Sequence, residues 1–174
     1  MCSKQIAVNK GGVEISSSLL SGVSLPAAVV HEAALAHNLV WMQRFADSHG
    51  AQLAPHGKTT MTPALFQRQL QAGAWGITLA TAPQCRAAFA KGVTCLLMAN
   101  QLVGQANMAI IASLIEQGAS FYCVVDSQEN VRQLGRFFAE RGLTLSVLIE
   151  VGVTGGAVWL PYSAADSFAC RDHR

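Results

Sequence analysis

The sequence predicts an α/β protein built on a parallel sheet. Six apolar runs of strand length alternate with five stretches of helical periodicity, and a glycine follows each helical stretch, at Gly50, Gly73, Gly92, Gly118 and Gly142. Strict alternation of this kind leaves two architectures open, a TIM-like barrel and a doubly wound sheet. No strand is followed by Gly-x-Gly-x-x-Gly, which counts against the dinucleotide-binding version of the second.

Taken in order, residues 1–24 are polar and rich in Gly and Ser, and read as a loosely ordered N-terminal arm. Residues 26–31 read as a first strand. The run 32–49 is a helix presenting Leu35, Leu39, Met42 and Phe45/Ala46 at helical spacing, and Gly50 supplies the stop. A second strand covers 52–56, with Lys58 in the loop beyond it. The next helix opens at Pro63, whose fixed φ suits a first turn, with Thr62 as N-cap. Strands at 75–80, 95–99, 121–125 and 144–151 alternate with helices at 83–91, 105–117 and a last one ending near Gly142. Asp126 and Ser127 are the caps expected for that last helix, which carries Val131, Leu134 and Phe138 inward.

Composition narrows the classes. At 174 residues the chain can build a sizeable core, yet it is short for a whole barrel of about 250 residues. Hydrophobic residues at 51% and charged ones at 13% exclude disorder and point to extensive burial or an interface. A net charge of +2, without a basic run or an aromatic-basic stripe, does not suggest nucleic-acid binding. The charge-free stretch from Lys91 to Glu116 is broken by Asn100, Gln101, Gly104, Gln105 and Asn107, so a strand, a loop and a core helix explain it better than a membrane span. No apolar signal-peptide core follows Lys4 and Lys10. Five scattered cysteines without Cys-x-x-Cys read as reduced thiols of a cytoplasmic protein.

The chemistry concentrates at Pro55-His56-Gly57-Lys58-Thr59-Thr60, where a strand gives way to a loop. In an α/β fold this end of the sheet presents functional groups to solvent. An isolated lysine is usually a solvated charge. Here it sits between a glycine and two hydroxyls, and alternation along a strand puts His56 on the same face. A partly desolvated amine beside a second cation has a lowered pKa and attacks carbonyl carbon, which suggests a Schiff base at Lys58.

These residues resemble a known family. Pro55-His56-Gly57-Lys58-Thr59 is similar to the Pro-His-x-Lys-Thr motif of the D-threonine aldolase, D-serine dehydratase and amino-acid deaminase group, within the alanine racemase-like (fold type III) pyridoxal phosphate enzymes. Further similar runs follow in the right order, from Leu25-Pro26-Ala27-Ala28 through Gly76-Ile77-Thr78-Leu79 and Ala99-Asn100-Gln101-Leu102 to Glu150-Val151-Gly152-Val153. The resemblance implies a partial TIM-like (β/α) barrel of about six βα units at residues 25–156, lacking the last strands and the C-terminal β-domain. It implies pyridoxal 5'-phosphate carried by Lys58, with His56, Asn100 and Gln101 as the other cofactor-contacting candidates. Asn100 and Gln101 end the fourth strand on the expected active face, where they line a pocket or satisfy loop backbone; His56 contacts the cofactor or braces the loop. The expected reaction is that of a lyase on a small-molecule D-amino acid, D-serine deaminase-like first and D-threonine aldolase-like second. A homodimer is the expected assembly. The alternative is a non-catalytic remnant, or a protein of the same family that binds the cofactor without turnover.

The similarity stops after Gly155-Gly156. Where the family usually has an arginine facing the cofactor, this chain has Ala157, and residues 157–174 match nothing expected, which suggests a C-terminally truncated or frameshifted member. By the resemblance, the family's divalent metal is bound through a His-x-Cys pair in the C-terminal domain. Cys170 and His173 have another spacing, so no metal site is expected in this chain. Thr78 and Thr81 are read as packing or turn-bonding residues, and Asp126 as a cap rather than a catalytic carboxylate. Glu150 is a carboxylate on an apolar strand that needs a partner the sequence does not name.

Overall fold

The computed structural model describes residue 26 and residues 28–152, together with two short strands, β1 (Ala7–Val8) and β2 (Glu14–Ile15). These strands pair antiparallel, Ala7 opposite Ile15 and Val8 opposite Glu14, so four residues of the expected loose arm are strand instead. The chain divides into two units, Met1–Ile77 and Thr78–Arg174.

In the first unit, α1 (Glu32–Ser48) starts where the ring Nδ1 of His31 accepts from the Ala34 N–H at 3.4 Å, and ends at Gly50 with φ +62°. Leu35 and Leu39 are half-buried and Ala46 is buried, whereas Met42 and Phe45, expected on the same inward face, are exposed. Apolar residues wrap more than one arc of this helix, including Val40 and Trp41, so periodicity alone could not choose the buried one. The exposed aromatic rings instead stack along the helix, Trp41 on Phe45 with centroids 5.6 Å apart and Phe45 on His49 at 4.4 Å.

The first turn of α1 is tied to α2 (Pro63–Gln71) by a two-pronged ion pair in which both terminal guanidinium nitrogens of Arg68 donate to the Glu32 carboxylate, one at 2.6 Å. That hydrogen bond holds the Glu32 carboxyl below its ordinary value of 4.5. The runs 26–31 and 52–56, expected as strands, contain only single strand bridges at Val30 and His56. Pro55 has no N–H to donate and interrupts the second run. The Leu53 carbonyl in that run accepts from the Trp75 N–H at 2.7 Å.

The sheet has the order β3-β4-β5-β6, with β3 (Ile77–Leu79), β4 (Cys95–Gln101), β5 (Ser120–Val125) and β6 (Ser146–Ile149). The register β4 to β5 starts at Cys95 opposite Ser120, and β5 to β6 runs from Tyr122 opposite Ser146 to Val125 opposite Ile149, both parallel. Successive neighbours joined by α3 (Ala82–Phe89), α4 (Gln105–Glu116) and α5 (Gln128–Ala139) are βα units, as the alternation requires. The core of the second unit lies between these helices and the sheet, where Leu96, Phe121, Ile111, Leu134 and Phe138 are buried. Val131, expected inward, is 41% exposed. The buried arc of α5 runs Asn130, Leu134, Phe138 at i, i+4, i+8, and Val131 is one position off it.

All four residues of β6 are exposed, and β6 ends the sheet among the described residues. No helix of the described residues is long and apolar enough to cross a membrane.

Two outcomes follow from this packing. Arg68→Ala lowers the melting temperature at pH 7, and the loss fades as the pH falls below 4.5: Glu32 is stabilised as the anion, so its contribution exists above the unfolded-state value and disappears once the carboxyl protonates. A melting series from pH 7 to pH 3 on both proteins checks it. The thiols of Cys85 and Cys123 are fully buried, and burial pushes them up to about 12 and about 11 respectively. Neither is expected to react with iodoacetamide at pH 8 until the protein is unfolded, as site-resolved mass spectrometry of alkylated protein would show.

Candidate active site

Lys58 opens a tight turn spanning 58–60, closed by the Met61 N–H donating to the Gly57 carbonyl at 3.0 Å. Met61 takes φ +45°, a left-handed conformation unusual for a residue with a side chain. Thr62 then precedes α2 in the N-cap position, but its hydroxyl does not cap the helix; it donates back to the Thr60 carbonyl at 3.1 Å. The threonine expected to cap the helix therefore braces the lysine turn.

Gly57 is buried, while His56 and Lys58 on either side of it are exposed, the alternation expected for two side chains on one face. A Cβ at Gly57 would lie 2.4 Å from Cε1 of Phe66 and 2.9 Å from Cγ2 of Ile77, both fully buried. The backbone is thus pressed onto a packed aromatic ring, and only glycine fits. Lys58 itself is exposed, so the described residues do not supply the desolvation invoked for activating its amine.

In the second unit, β4 departs from regular pairing before it ends. Met98 lies opposite Cys123 and Gln101 opposite Val124, three steps along β4 against one along β5, so Ala99 and Asn100 are bulged out. A bulge turns side chains out of the normal alternation. Asn100 uses both ends of its amide: Nδ2 donates to the Ala80 carbonyl at 3.4 Å, and Oδ1 accepts from the Gln101 N–H at 3.0 Å. Gln101 Nε2 donates to Asp126 Oδ2 at 3.0 Å and to Glu150 Oε2 at 2.9 Å. Glu150 thereby gains the partner its sequence position demanded, and its N–H is bonded to the Val125 carbonyl at 2.9 Å.

Asp126 is not the helix cap. That role belongs to Ser127, whose Oγ accepts from the Asn130 N–H at 3.3 Å. Two adjacent residues could each have capped α5, and the carboxylate is drawn away to the Gln101 amide. Thr81 caps α3 by accepting from the Gln84 N–H at 3.4 Å, and Thr78 is 2% exposed, so both have the bonding and packing roles expected.

Of the four candidate site residues, His56 and Lys58 belong to the first unit and Asn100 and Gln101 to the second. Sequence reasoning missed Asn130, whose Nδ2 donates to the Leu102 carbonyl at 3.0 Å and so holds the loop after β4 against α5. Its Oδ1 is buried without a hydrogen-bond partner. A polar residue on the i, i+4, i+8 arc with Leu134 and Phe138 was the available signal. Ala157, Cys170 and His173 lie outside the described residues, among which no group of three or more His, Cys, Asp and Glu could hold a metal ion.

No family model matches the chain. Among curated proteins it is 32% identical to a D-threonine aldolase of Arthrobacter sp. over 137 residues, covering 79% of this chain and 36% of the relative. It is 31% identical to the D-threo-3-hydroxyaspartate dehydratase of Delftia sp. (strain HT23) over 130 residues, covering 75% and 34%. The resemblance to the D-threonine aldolase group of the alanine racemase-like (fold type III) enzymes is thus carried by homologues at about 30% identity over about 78% of the chain. The chain spans about a third of the length of these curated relatives. Solved structures agree: the D-threonine aldolase from Filomicrobium marinum superposes with a TM-score of 0.73 at 29% identity, over 78% of this chain and 36% of that one. A point mutant of a D-threo-3-hydroxyaspartate dehydratase gives 0.72 at 30%, over 78% and 34%. The α/β fold with its parallel sheet is consistent with a partial barrel.

Gly57→Val is expected to strain the lysine turn against Phe66 and cost about 1–3 kcal/mol, and Phe66→Leu in the same chain should recover part of it. Chemical denaturation of the single and double variants measures both.

Proposed function

We propose that the protein is a pyridoxal phosphate-dependent lyase acting on D-amino acids, with Lys58 as the residue that carries the cofactor. The observation that supports this most directly is the presentation of Lys58. An exposed amine stands on a turn fixed by the Met61–Gly57 bond and by a glycine that cannot be enlarged, within the Pro55-His56-Gly57-Lys58-Thr59 run. These residues fit a carbonyl cofactor, since the amine is accessible to it and the backbone beneath is rigid. Bound there, pyridoxal phosphate would supply an electron sink for charge developing at the substrate α-carbon.

The chain's own residues take the remaining roles. Lys58 holds the cofactor through Nζ. His56 is exposed next to it and is offered to the same ligand. Asn100 and Gln101 stand at the C-terminal end of β4, where parallel sheets place their ligands. Both amide hydrogens of Gln101 are engaged by carboxylates, so its amide oxygen is what it offers. The substrate class is a D-amino acid bearing a β-hydroxyl, the feature shared by the substrates that the two relatives' names print. Loss of the hydroxyl with deamination, or cleavage to glycine and an aldehyde, are the two outcomes open to it. A related dehydratase solved in a metal-free form suits the family's divalent metal, for which the described residues offer no ligand group. A cytoplasmic location and a homodimer belong to the same proposal.

The exposure of Lys58 and of every residue of β6 favours a second reading, a protein of this family that binds the cofactor without turnover. One experiment separates the readings. Purified protein is incubated with pyridoxal phosphate, reduced with borohydride and mapped by mass spectrometry, then assayed with D-threonine and D-serine. The lyase reading requires label at Lys58, its loss in Lys58→Ala, and product from at least one substrate. Label at Lys58 without product supports the second reading, and scattered or absent label overturns both.

A further inference from the structure

We infer that Gln101 is a positioning residue, whose amide nitrogen gathers the carboxylates of Asp126 and Glu150 and so sets the polar end of the sheet. Its relevance to catalysis rests on the lyase reading; the bridge itself rests on geometry. One nitrogen carries two hydrogens, and each is directed to a different carboxylate, at 3.0 Å and 2.9 Å. The two accepting oxygens therefore cannot be more than about 6 Å apart. Two carboxylates that close repel each other unless a donor stands between them. Among the described residues neither carboxylate has a Lys, Arg or His within salt-bridge distance, so the Gln101 amide is the donor present.

The second, independent observation is the bulge. In regular register Ala99 would stand opposite Val124 and Gln101 level with Asp126, past the end of β5; the bulge at Ala99 and Asn100 draws Gln101 back to Val124, two residues before Asp126. The bulge places the amide at the level where β5 and β6 end, and Asn100 fixes the bulge by bonding to the Ala80 carbonyl and to the Gln101 N–H. Two consecutive amides thus lace the C-terminal ends of β3, β4, β5 and β6 together. The other titratable groups on the neighbouring elements, Cys95 on β4, Tyr122 and Cys123 on β5, and Glu129, Arg132 and Arg136 on α5, take no part in the Gln101 bonds. With both donors used, Gln101 cannot donate to an anionic ligand without releasing a carboxylate. Its function is to hold Asp126 and Glu150, not to bind phosphate.

The test is a double-mutant cycle in the whole chain, comparing the melting of the native protein, Gln101→Met, which keeps the length and removes the donor, Asp126→Asn, and the two substitutions together. Gln101→Met should lower the melting temperature, and part of that loss should be recovered when Asp126→Asn is added, because one of the two facing charges is then gone. The fall should also shrink in about 1 M salt, which screens the two carboxylates. A residue that merely fills space would lower the melting temperature equally at low and high salt and equally with or without Asp126→Asn, and that result overturns the proposal. If Gln101→Met does not fold, combining it with Asp126→Asn should restore folding by removing the repulsion; failure of the double variant to fold also overturns it. Borohydride labelling of Lys58 in the native chain is read separately. Its absence beside a coupled, salt-dependent loss of stability would sink the lyase reading and leave the bridge standing.

Discussion

Parallel pairing of β4 with β5 and of β5 with β6 brings the carboxyl ends of three strands to one side, and the polar structure of the second unit depends on it. Parallel strands cannot be joined by short turns; each needs a helical crossover, and α4 and α5 supply them. Because every strand points the same way, each strand-to-helix loop emerges at the same end. Gln101, Asp126 and Glu150 come from three such positions, separated by 25 and 49 residues from Gln101, yet share one amide nitrogen. In an antiparallel sheet the same three sequence positions would alternate between opposite ends.

The first unit works by a different constraint. Its lysine turn is held from below, where Gly57 rests on the Phe66 ring, and from the side, where Thr62 donates to Thr60 instead of to its helix. Helix α2 gives up a side-chain cap, worth about 1 kcal/mol in an ordinary helix, and begins with Pro63, which has no N–H to satisfy. That substitution of one device for another leaves the threonine available to the turn. The Glu32–Arg68 pair fixes α2 to α1 beside it.

The apolar composition noted in the sequence has a visible destination in part. Ile77, Leu79, Leu96 and Ile111 are fully buried, whereas Trp41, Leu148, Ile149 and Val151 are exposed, Val151 at 70%. Exposed β-branched residues along the last strand of a sheet are the pattern that makes an edge sticky. The high hydrophobic fraction therefore reflects surface as well as core.

The sequence by itself determined the α/β class, the order of elements from α1 to β6 and the turn that presents Lys58, because hydrophobic period, glycine stops and proline are local properties of the chain. It also marked Asn100 and Gln101 as polar residues at a strand end. It could not determine which arc of α1 or α5 is buried, so Met42, Phe45 and Val131 were placed inward, nor that the runs at 26–31 and 52–56 lack a ladder. Those outcomes depend on what lies opposite, which no local pattern records. Between Asp126 and Ser127 as cap, the tertiary structure decided for Ser127, because a hydroxyl suffices to accept one N–H while the nearby Gln101 amide had a hydrogen to give a carboxylate. The bulge at Ala99 and Asn100 was likewise decided by register against β5, a relation between two strands that neither contains alone.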